Sequence, residues 1–480
     1  MAPLFGRTVS HSPLKLAICL GLLSLAQLLT ALHFSMVIVA LPEIAEDFGL
    51  SEQSQQWVFS AYSVSLGSFL LLGGRASDVI GRRKIFILAL VLFGLGCLAG
   101  GLSQNAGALI ASRITQGIGA AFLFPATLSL LYALFRQGPE RNRALAVWSL
   151  VSSTGLIAGS IIGGTLVSGF GWSAPFILNV PFAYLIGIGA FFYMPKDSSN
   201  GDRRDFDLFG VVASTSGVAL LIVVLVQIPS WGWTSGRTLF TVALAVVSLA
   251  TFGVVECTGA DPLIPPELLR RKNLVIAMAL AFMFMGTFMA VPYFLTKLFQ
   301  VAYLYSPVYA GFAFIVPSIA IMCGTQVGGL MATRIGPTRS LLVSLSVGAF
   351  GTALLGFEIG ASIGYWGLVP GLILFGFGQG ATWPVIWVLV GLTTSQQERG
   401  IASSLTATSM WIGGATGLAV LVAGSQLYTS TANDAQRVVT IAGTQAAVYL
   451  AALGIVLSIL LAVMVEQNDV DVEPVCNQTR

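Results

Sequence analysis

The sequence predicts an all-α integral membrane protein with fourteen transmembrane helices. Hydrophobic residues make up 56% of the 480 residues and charged residues only 9%, with a mean hydropathy of +0.87. A soluble domain carries about 25% charged residues, so this composition fits lipid rather than water as the solvent. Fourteen apolar runs are long enough to span a bilayer, and the cationic residues are concentrated in alternate connecting loops.

The apolar runs follow one another with short connections. We predict spans near 16–41, 57–75, 85–104, 107–135, 144–169, 173–194, 208–228, 238–256, 274–296, 307–332, 340–360, 364–392, 401–428 and 443–465. The first run is too long for the apolar part of a signal peptide, so we predict that it is retained. The five cysteines and two histidines show no metal-site spacing, so we expect neither a metal nor a cofactor.

The cationic residues predict the orientation. One set of alternate loops carries Arg82, Arg83, Lys84, Arg136, Arg141, Arg143, Lys196, Arg203, Arg204, Arg270, Arg271, Lys272, Arg334 and Arg339, whereas the opposite set carries only Arg237, Lys297 and Arg437. The positive-inside rule then places both termini in the cytoplasm of a multi-pass protein of the cell (plasma) membrane. The net charge of +3 is too small to indicate a nucleic-acid partner.

The chain contains an internal repeat. Three pairs of segments match at a separation of about 255–259 positions: GGRASDVIGRR (73–83) with GGLMATRIGPTR (328–339), GIGAAFLFP (117–125) with GFGQGATWP (376–384), and ERNRA (140–144) with ERGIA (398–402). The repeat predicts two similar six-helix bundles, at 1–195 and 273–465. Two inserted helices at 196–272 separate them, and a cytoplasmic tail at 466–480 follows.

Five motifs resemble signatures of the major facilitator superfamily, and more narrowly of its fourteen-span drug:proton antiporter branch. They are GRASDVIGRRK (74–84), RITQGIGAA (113–121), GLIAGSIIGG (155–164), WSAPFILNVP (172–181) and ALPEIAEDFGLSEQSQQWVFSAY (40–62). The resemblance covers nearly the whole chain and implies the major facilitator fold in a 6+2+6 arrangement. In such folds the substrate site lies near the bilayer midplane between the two halves.

The turn after span two resembles the gating signature of the family through Gly74, Asp78, Gly81, Arg82 and Arg83. The resemblance implies that Asp78 latches neighbouring helices at the cytoplasmic side in one state and releases them in the other. The alternative is that Asp78 caps the following helix.

Arg113 lies several residues into span four, where a lone cation costs about 2.5–3.5 kcal/mol. The resemblance implies that Arg113 serves coupling or substrate contact; the alternative is that Arg113 extends to the membrane interface. We also assign Gln116 and Gln27 to this predicted substrate and proton-coupling site. His33 occupies a position in span one where many relatives carry an acid. It is either the carrier of the coupling proton or a neutral histidine hydrogen-bonded between helices.

Two further groups of residues complete the predicted site. Gly155, Gly159, Gly163 and Gly164 mark a helix face for close packing, although Ser160 replaces the proline of the antiporter signature. Amide and aromatic side chains, with no acid among them, are expected to line a cavity for a neutral or weakly anionic molecule or to mediate helix packing: Asn179, Gln326, Gln379 and Trp383.

These features predict a monomeric secondary transporter that exports a small organic compound, such as a drug or secondary metabolite, with protons and the lipid bilayer as its other partners. The absence of a phosphate-binding loop favours an ion gradient as the energy source. A proton-coupled importer of a small polar solute is the alternative. A membrane-embedded enzyme is a more remote alternative, since the predicted spans contain no pair of carboxylates. A non-transporting sensor is a further remote alternative.

Overall fold

The computed structural model describes residues 13–50, 52–197, 208–232, 234–258, 266–305, 307–360, 364–394, 398–429 and 436–465. Within these ranges the chain forms seventeen α-helices and one π-helical turn. Among the described residues, twelve helical segments are long and apolar enough to cross a membrane, which confirms the multi-pass membrane class but not the count of fourteen spans. The predicted tail at 466–480 lies outside the described residues.

Six long helices form the first half of the molecule. They are α1 (Pro13–Asp47), α2 (Glu52–Ile80), α3 (Arg82–Gly101), α4 (Ala106–Leu134), α5 (Pro139–Phe170) and α6 (Ala174–Tyr193). Local sequence fixes some of their starts. The side chain of Asn105 accepts the N–H of Ala108 at 2.9 Å, and Pro139 occupies the first position of α5.

Two helices follow and separate the halves, α7 (Leu208–Trp231) and α8 (Gly236–Thr258). The second half contains α9 (Pro266–Arg270), α10 (Lys272–Thr287), α11 (Val291–Lys297), the π-helical turn Leu298–Ala302, α12 (Pro307–Ala313), α13 (Ile315–Arg334), α14 (Pro337–Gly360), α15 (Gly364–Leu392), α16 (Arg399–Thr429) and α17 (Gln436–Val463).

The predicted ninth and tenth spans are interrupted. Pro292 lies in the first turn of α11, and Pro317 lies in the first turn of α13. A proline supplies no backbone N–H and clashes with the preceding turn, so it is tolerated only in the first turn of a helix. Each of the two helices therefore breaks shortly before its proline. Both interrupted segments remain long enough to be candidate spans.

Equivalent helices pack in the same pairs in the two halves. In the first half α1 packs on α5, α2 on α4 and α3 on α6; in the second half α10 packs on α16, α13 on α15 and α14 on α17. The repeated turns also share their backbone geometry, because Gly81 (φ +119°) and Gly336 (φ +83°) both take positive φ values that favour glycine. The inserted α7 and α8 pack on each other, and α7 also contacts α2 and α16.

Candidate transport site and gate

A buried polar cluster lies between α1, α4 and α6. We call it the His33 cluster; its members are His33, Arg113, Gln116 and Asn179. The Nε2 atom of His33 is 3.0 Å from Oε1 of Gln116, and its Nδ1 is 3.2 Å from Nδ2 of Asn179. All four side chains are at most 1% exposed. The helices thus bring together residues that are up to 146 positions apart in the chain.

The hydrogen bonds of the cluster favour a neutral His33. Nδ2 of Asn179 is a donor, so Nδ1 of His33 accepts and the ring proton lies on Nε2, which donates to Gln116. Nη1 of Arg113 donates to the same Gln116 oxygen and lies 3.1 Å from Nε2 of His33. A second proton on His33 would therefore place two positive side chains in contact.

Arg113 is held inside the first half. Its Nε donates to the carbonyl oxygen of Val58 at 3.1 Å, and its guanidinium carbon lies 4.6 Å from the ring centre of Tyr62. The side chain is 0% exposed, so the alternative of an arginine that extends to the interface is wrong. Among the described residues Arg113 forms no ion pair, and its Nη2 has no hydrogen-bond partner. Hydrogen bonds to the oxygen atoms of Val58 and Gln116 and the contact with the Tyr62 ring stabilise this cation.

The predicted glycine face of α5 lies directly against α1. A Cβ atom on Gly155 would lie 2.9 Å from the carbonyl oxygen of Leu28, and one on Gly159 would overlap that of Leu32. On Gly163 it would lie 2.8 Å from Cα of Met36, whereas Gly164 points to looser space. The glycines therefore allow the close approach that sets the position of the His33 segment.

The remaining predicted residues lie outside the His33 cluster. Gln27 is half-buried on α1, and Gln326 donates to the carbonyl oxygen of Ala146 across the two halves at 3.5 Å. The Nε2 of Gln379 contacts the sulfur of Met289 at 3.0 Å. Trp383 belongs to an aromatic group near Phe284, with ring centres 5.3 Å apart. Asn179, predicted to line a cavity, instead contacts His33.

One end of the helix bundle, which carries the loops rich in Lys and Arg, is closed by contacts between the halves. We call it the basic end. Oδ2 of Asp78 accepts the N–H of Ile401 at 3.2 Å in the first turn of α16. A Cβ on Gly74 would lie 2.7 Å from the carbonyl oxygen of Gly400, so the glycine permits this approach. A carboxylate at a helix N-terminus is favourable because it complements the helix dipole.

The alternative role of Asp78 as the cap of the next helix is wrong. The cap position of α3 is Gly81, and the carboxylate at that helix start belongs to Asp197, which accepts the N–H groups of Arg83 and Lys84 at 3.0 and 3.2 Å. The Arg83 side chain turns to α6, where it donates to the carbonyl oxygen of Phe191. Arg82 is the first residue of α3.

A second set of contacts at the basic end relates equivalent positions of the repeat. Arg399 of the second half donates to the carbonyl oxygen of Tyr132 at 3.0 Å, and Arg141 of the first half donates to that of Gly391 at 3.5 Å. Arg141 and Arg399 occupy equivalent positions, as do Tyr132 and Gly391. These two contacts were not predicted from the sequence, although the repeat makes Arg399 the equivalent of Arg141.

A neutral contact accompanies the charged one. Nδ2 of Asn142 donates to Oγ1 of Thr333 at 3.1 Å, and Thr333 is the repeat equivalent of Asp78. The two equivalent positions thus make different contacts at the basic end: the carboxyl group of Asp78 in the first half, and the neutral hydroxyl of Thr333 in the second half.

A fold of two packed six-helix units with a buried polar cluster and a closed basic end defines a multi-pass membrane transporter. The chain belongs to the Major Facilitator Superfamily, whose family model matches residues 23–418. This confirms the resemblance predicted from the motifs, and membership in a family of transporters excludes the enzyme alternative.

Two curated relatives illustrate the closeness of the match. The chain is 32% identical over 434 residues to the puromycin resistance protein pur8 of Streptomyces alboniger, covering 86% of this chain and 84% of that protein. It is 31% identical over 427 residues to the cephamycin export protein CmcT of Amycolatopsis lactamdurans, covering 87% and 86%. Relatives with these names agree with the predicted drug:proton antiporter branch.

Solved structures show the same fold. The human organic anion transporter MFSD10 (TETRAN) superposes with a TM-score of 0.68 at 19% identity, covering 94% of this chain and 100% of that one. The proton:xylose symporter XylE superposes with a TM-score of 0.69 at 13% identity, covering 95% and 97%. At these identities the likeness concerns the fold alone.

Proposed function

We propose that this chain exports a small organic compound, neutral or anionic, by alternating access, and that a proton gradient drives the export. The observation that carries the direction of transport is the set of relatives named for resistance and export, which match over most of their length. They include the tetracenomycin C resistance and export protein of Streptomyces glaucescens, 29% identical over 417 residues.

The contacts at the basic end support alternating access. Asp78, Arg141 and Arg399 each bond to a backbone group of the opposite half. These contacts stabilise a state that is closed at the basic end, which we propose to be the cytoplasmic end. Rocking of the two halves would break them together and open the site to the other side.

The His33 cluster supports proton coupling. Two unit charges 4 Å apart repel by about 4 kcal/mol at an effective dielectric constant near 20. With Nη1 of Arg113 at 3.1 Å, a proton on His33 would favour movement of Arg113 or the arrival of an anion. Proton uptake is thereby linked to a rearrangement between α1 and α4, which is the link that a coupled transporter needs.

The charge of the cluster supports neutral or anionic cargo. Arg113 supplies a fixed positive charge, and none of the described carboxylates forms an ion pair with it. A cationic cargo would approach this charge without a compensating acid. An anionic cargo would gain from it, particularly while His33 carries a proton.

Flux measurements in everted membrane vesicles test the proposal. A compound would first be chosen by growth of a deletion strain against a panel of organic acids, azoles and secondary metabolites. We expect its accumulation in everted vesicles under an imposed pH gradient and its loss with a protonophore. Arg113→Ala should abolish accumulation at normal membrane levels, whereas Arg237→Ala, at the exposed start of α8, should not.

Two results would contradict the proposal. Uptake into right-side-out vesicles under an inward proton gradient would identify the importer alternative. Accumulation that survives the protonophore would exclude proton coupling while leaving export in place.

We also propose fourteen spans in the 6+2+6 arrangement, with the domain limits 1–195, 196–272, 273–465 and 466–480. The part of the chain that the structure describes contains twelve candidate spans, and α2 and α5, with 29 and 32 residues, are long enough to add two more. Reporter fusions after each helix would test this count, and a reporter at Gly138 on the opposite side from one at Gly336 would contradict it.

A further inference from the structure

Two buried amino groups of the His33 cluster have no hydrogen-bond partner among the described residues. They are Nη2 of Arg113 and Nε2 of Gln116, and both side chains are 0% exposed. Leaving a buried donor unpaired costs free energy, and the cost is larger when the donor carries a charge. The two groups therefore lack a shared acceptor in a part of the protein that water does not reach.

The neighbouring contacts fix the orientation of both groups. Nε of Arg113 donates to the carbonyl oxygen of Val58 and Nη1 donates to Oε1 of Gln116, so Nη2 is the arm of the guanidinium that is left over. Turning the Gln116 amide over would place its NH2 group against Nη1, and two donors do not bond to each other. The Tyr62 ring covers the face of the guanidinium, whereas the N–H bonds lie in its plane. Rotation of the amide therefore cannot pair these donors.

The chemistry of the cluster favours an acceptor that is negatively charged and carries no hydrogen atoms. A water molecule could accept from both groups, but its own two O–H bonds would then need acceptors. The acceptor beside it, Oε1 of Gln116, already receives Nη1 of Arg113 and Nε2 of His33. None of the described carboxylates pairs with Arg113, and a buried cation without a counter-charge is costly in a membrane. One negative charge would compensate it.

The residues around these groups all belong to the first half of the molecule. Val58 and Tyr62 lie on α2, Arg113 and Gln116 on α4, and His33 on α1. Rocking of the two halves changes the contacts between them and leaves the contacts within one half in place. An ion bound here would stay with the first half throughout the cycle, whereas a cargo site between the halves must open and close.

We propose that Nη2 of Arg113 and Nε2 of Gln116 form a binding site for a small monovalent anion, which is chloride in the cell. Each of the two atoms belongs to the same planar group as one atom of the Nη1–Oε1 contact, which keeps both within reach of one small ion. Chloride accepts hydrogen bonds, donates none and compensates the single charge of the guanidinium. Sulfate carries two charges and is held more strongly by water, so a buried site disfavours it. The chloride is a resident ion, distinct from the exported compound.

Thermal unfolding of the purified full-length protein in lipid nanodiscs tests the site without cargo or a pH gradient. Sodium chloride would be titrated against sodium gluconate at constant ionic strength, so that charge screening stays the same. A ligand that binds the folded chain raises its unfolding midpoint by mass action. We expect a saturable rise of about 3 °C with chloride, a similar rise with the smaller-hydration ion bromide, and none with the bulky gluconate.

Gln116→Glu is the most informative variant, because it places a carboxylate beside the guanidinium. One carboxylate oxygen keeps the bond from Nη1 and the other replaces Nε2, so the side chain itself supplies the charge of the ion. The rise with chloride should therefore disappear. Gln137→Glu, at an exposed residue of the basic end, makes the same chemical change elsewhere and should keep the full response. It also controls for general effects of salt on the unfolding midpoint.

Bromide provides a second measurement that needs no variant. Crystals of the unaltered protein grown in sodium bromide would give an anomalous diffraction peak wherever the ion is ordered. We expect such a peak within hydrogen-bonding distance of Nη2 of Arg113 and Nε2 of Gln116.

Three results would overturn the site: an unfolding midpoint of the unaltered protein that ignores chloride, a full chloride response in Gln116→Glu, or the lack of a bromide peak at the His33 cluster. A response to sodium acetate without one to chloride would assign the two donors to a carboxylate of the cargo and overturn the resident ion. These measurements involve no transport, so the export proposal is decided by the vesicle assay alone.

Discussion

Replacing Asp78 by Asn tests the gate, because the two side chains have the same shape and differ in charge at pH 8, above the pKa of the Asp78 carboxyl group, which burial raises to about 7. The carboxylate accepts the N–H of Ile401 at 3.2 Å, in a helix that begins at Arg399. Hydrogen bonds to a charged group contribute about 1.5–3 kcal/mol against about 1 for a neutral one, and the helix dipole adds about 0.3–1. We expect Asp78→Asn to cost the closed state about 1–2 kcal/mol, a five- to thirtyfold fall in the closed:open ratio.

Electron paramagnetic resonance distances would measure this ratio. Nitroxide labels at Gln137 and Arg334 lie exposed at the basic end, one in each half, and would be placed in a chain whose five cysteines are replaced. Asp78→Asn should enlarge the population with a long distance. Thr333→Val, which removes the neutral contact with Asn142, should do so less, since it removes no charge.

Two results would refute the reasoning about the gate. One is a distance distribution in Asp78→Asn that matches the unaltered chain. The other is a larger opening in Thr333→Val than in Asp78→Asn, because the latch energy would then not come from the carboxylate.

Three other substitutions have expected outcomes. Gly159→Ala should lower thermal stability by about 1–3 kcal/mol through overlap with α1, measured by unfolding in detergent, whereas Gly169→Ala, with open space around its Cβ, should not. His33→Gln retains hydrogen bonding but takes no proton, so it should bind cargo and lose pH-gradient-driven flux in vesicles; retained flux would contradict the coupling role. Asp197→Asn should destabilise the start of α3 by about 0.5–1 kcal/mol, seen as a lower midpoint of thermal unfolding; an unchanged midpoint would count against this cap.

Hydropathy and motifs could predict the membrane class, the family and most helix positions. The predicted first span at 16–41 falls inside α1, Pro13–Asp47, and the repeat predicted the paired turns at Gly81 and Gly336. The helix breaks beside Pro292 and Pro317 were not predicted, because apolar composition alone does not reveal where the backbone hydrogen bonds of a helix are interrupted.

The site was predicted as separate residues rather than as a cluster. His33 and Arg113 stood out as polar groups in apolar helices, but their contact depends on how α1 packs against α4 across 80 positions of sequence. Asn179 joins them only because α6 brings its first turns to the same level. Spacing along one helix contains no information about such contacts between helices.

The His33 cluster and the aromatic group around Trp383 lie largely on different halves. The His33 cluster draws on α1, α4 and α6, whereas Trp383, Trp387 and Phe284 belong to α15 and α10. Substitutions in α10 and α15 can therefore reshape this aromatic group without touching a hydrogen bond of the buried arginine. The two parts of the molecule are thus free to change independently in evolution.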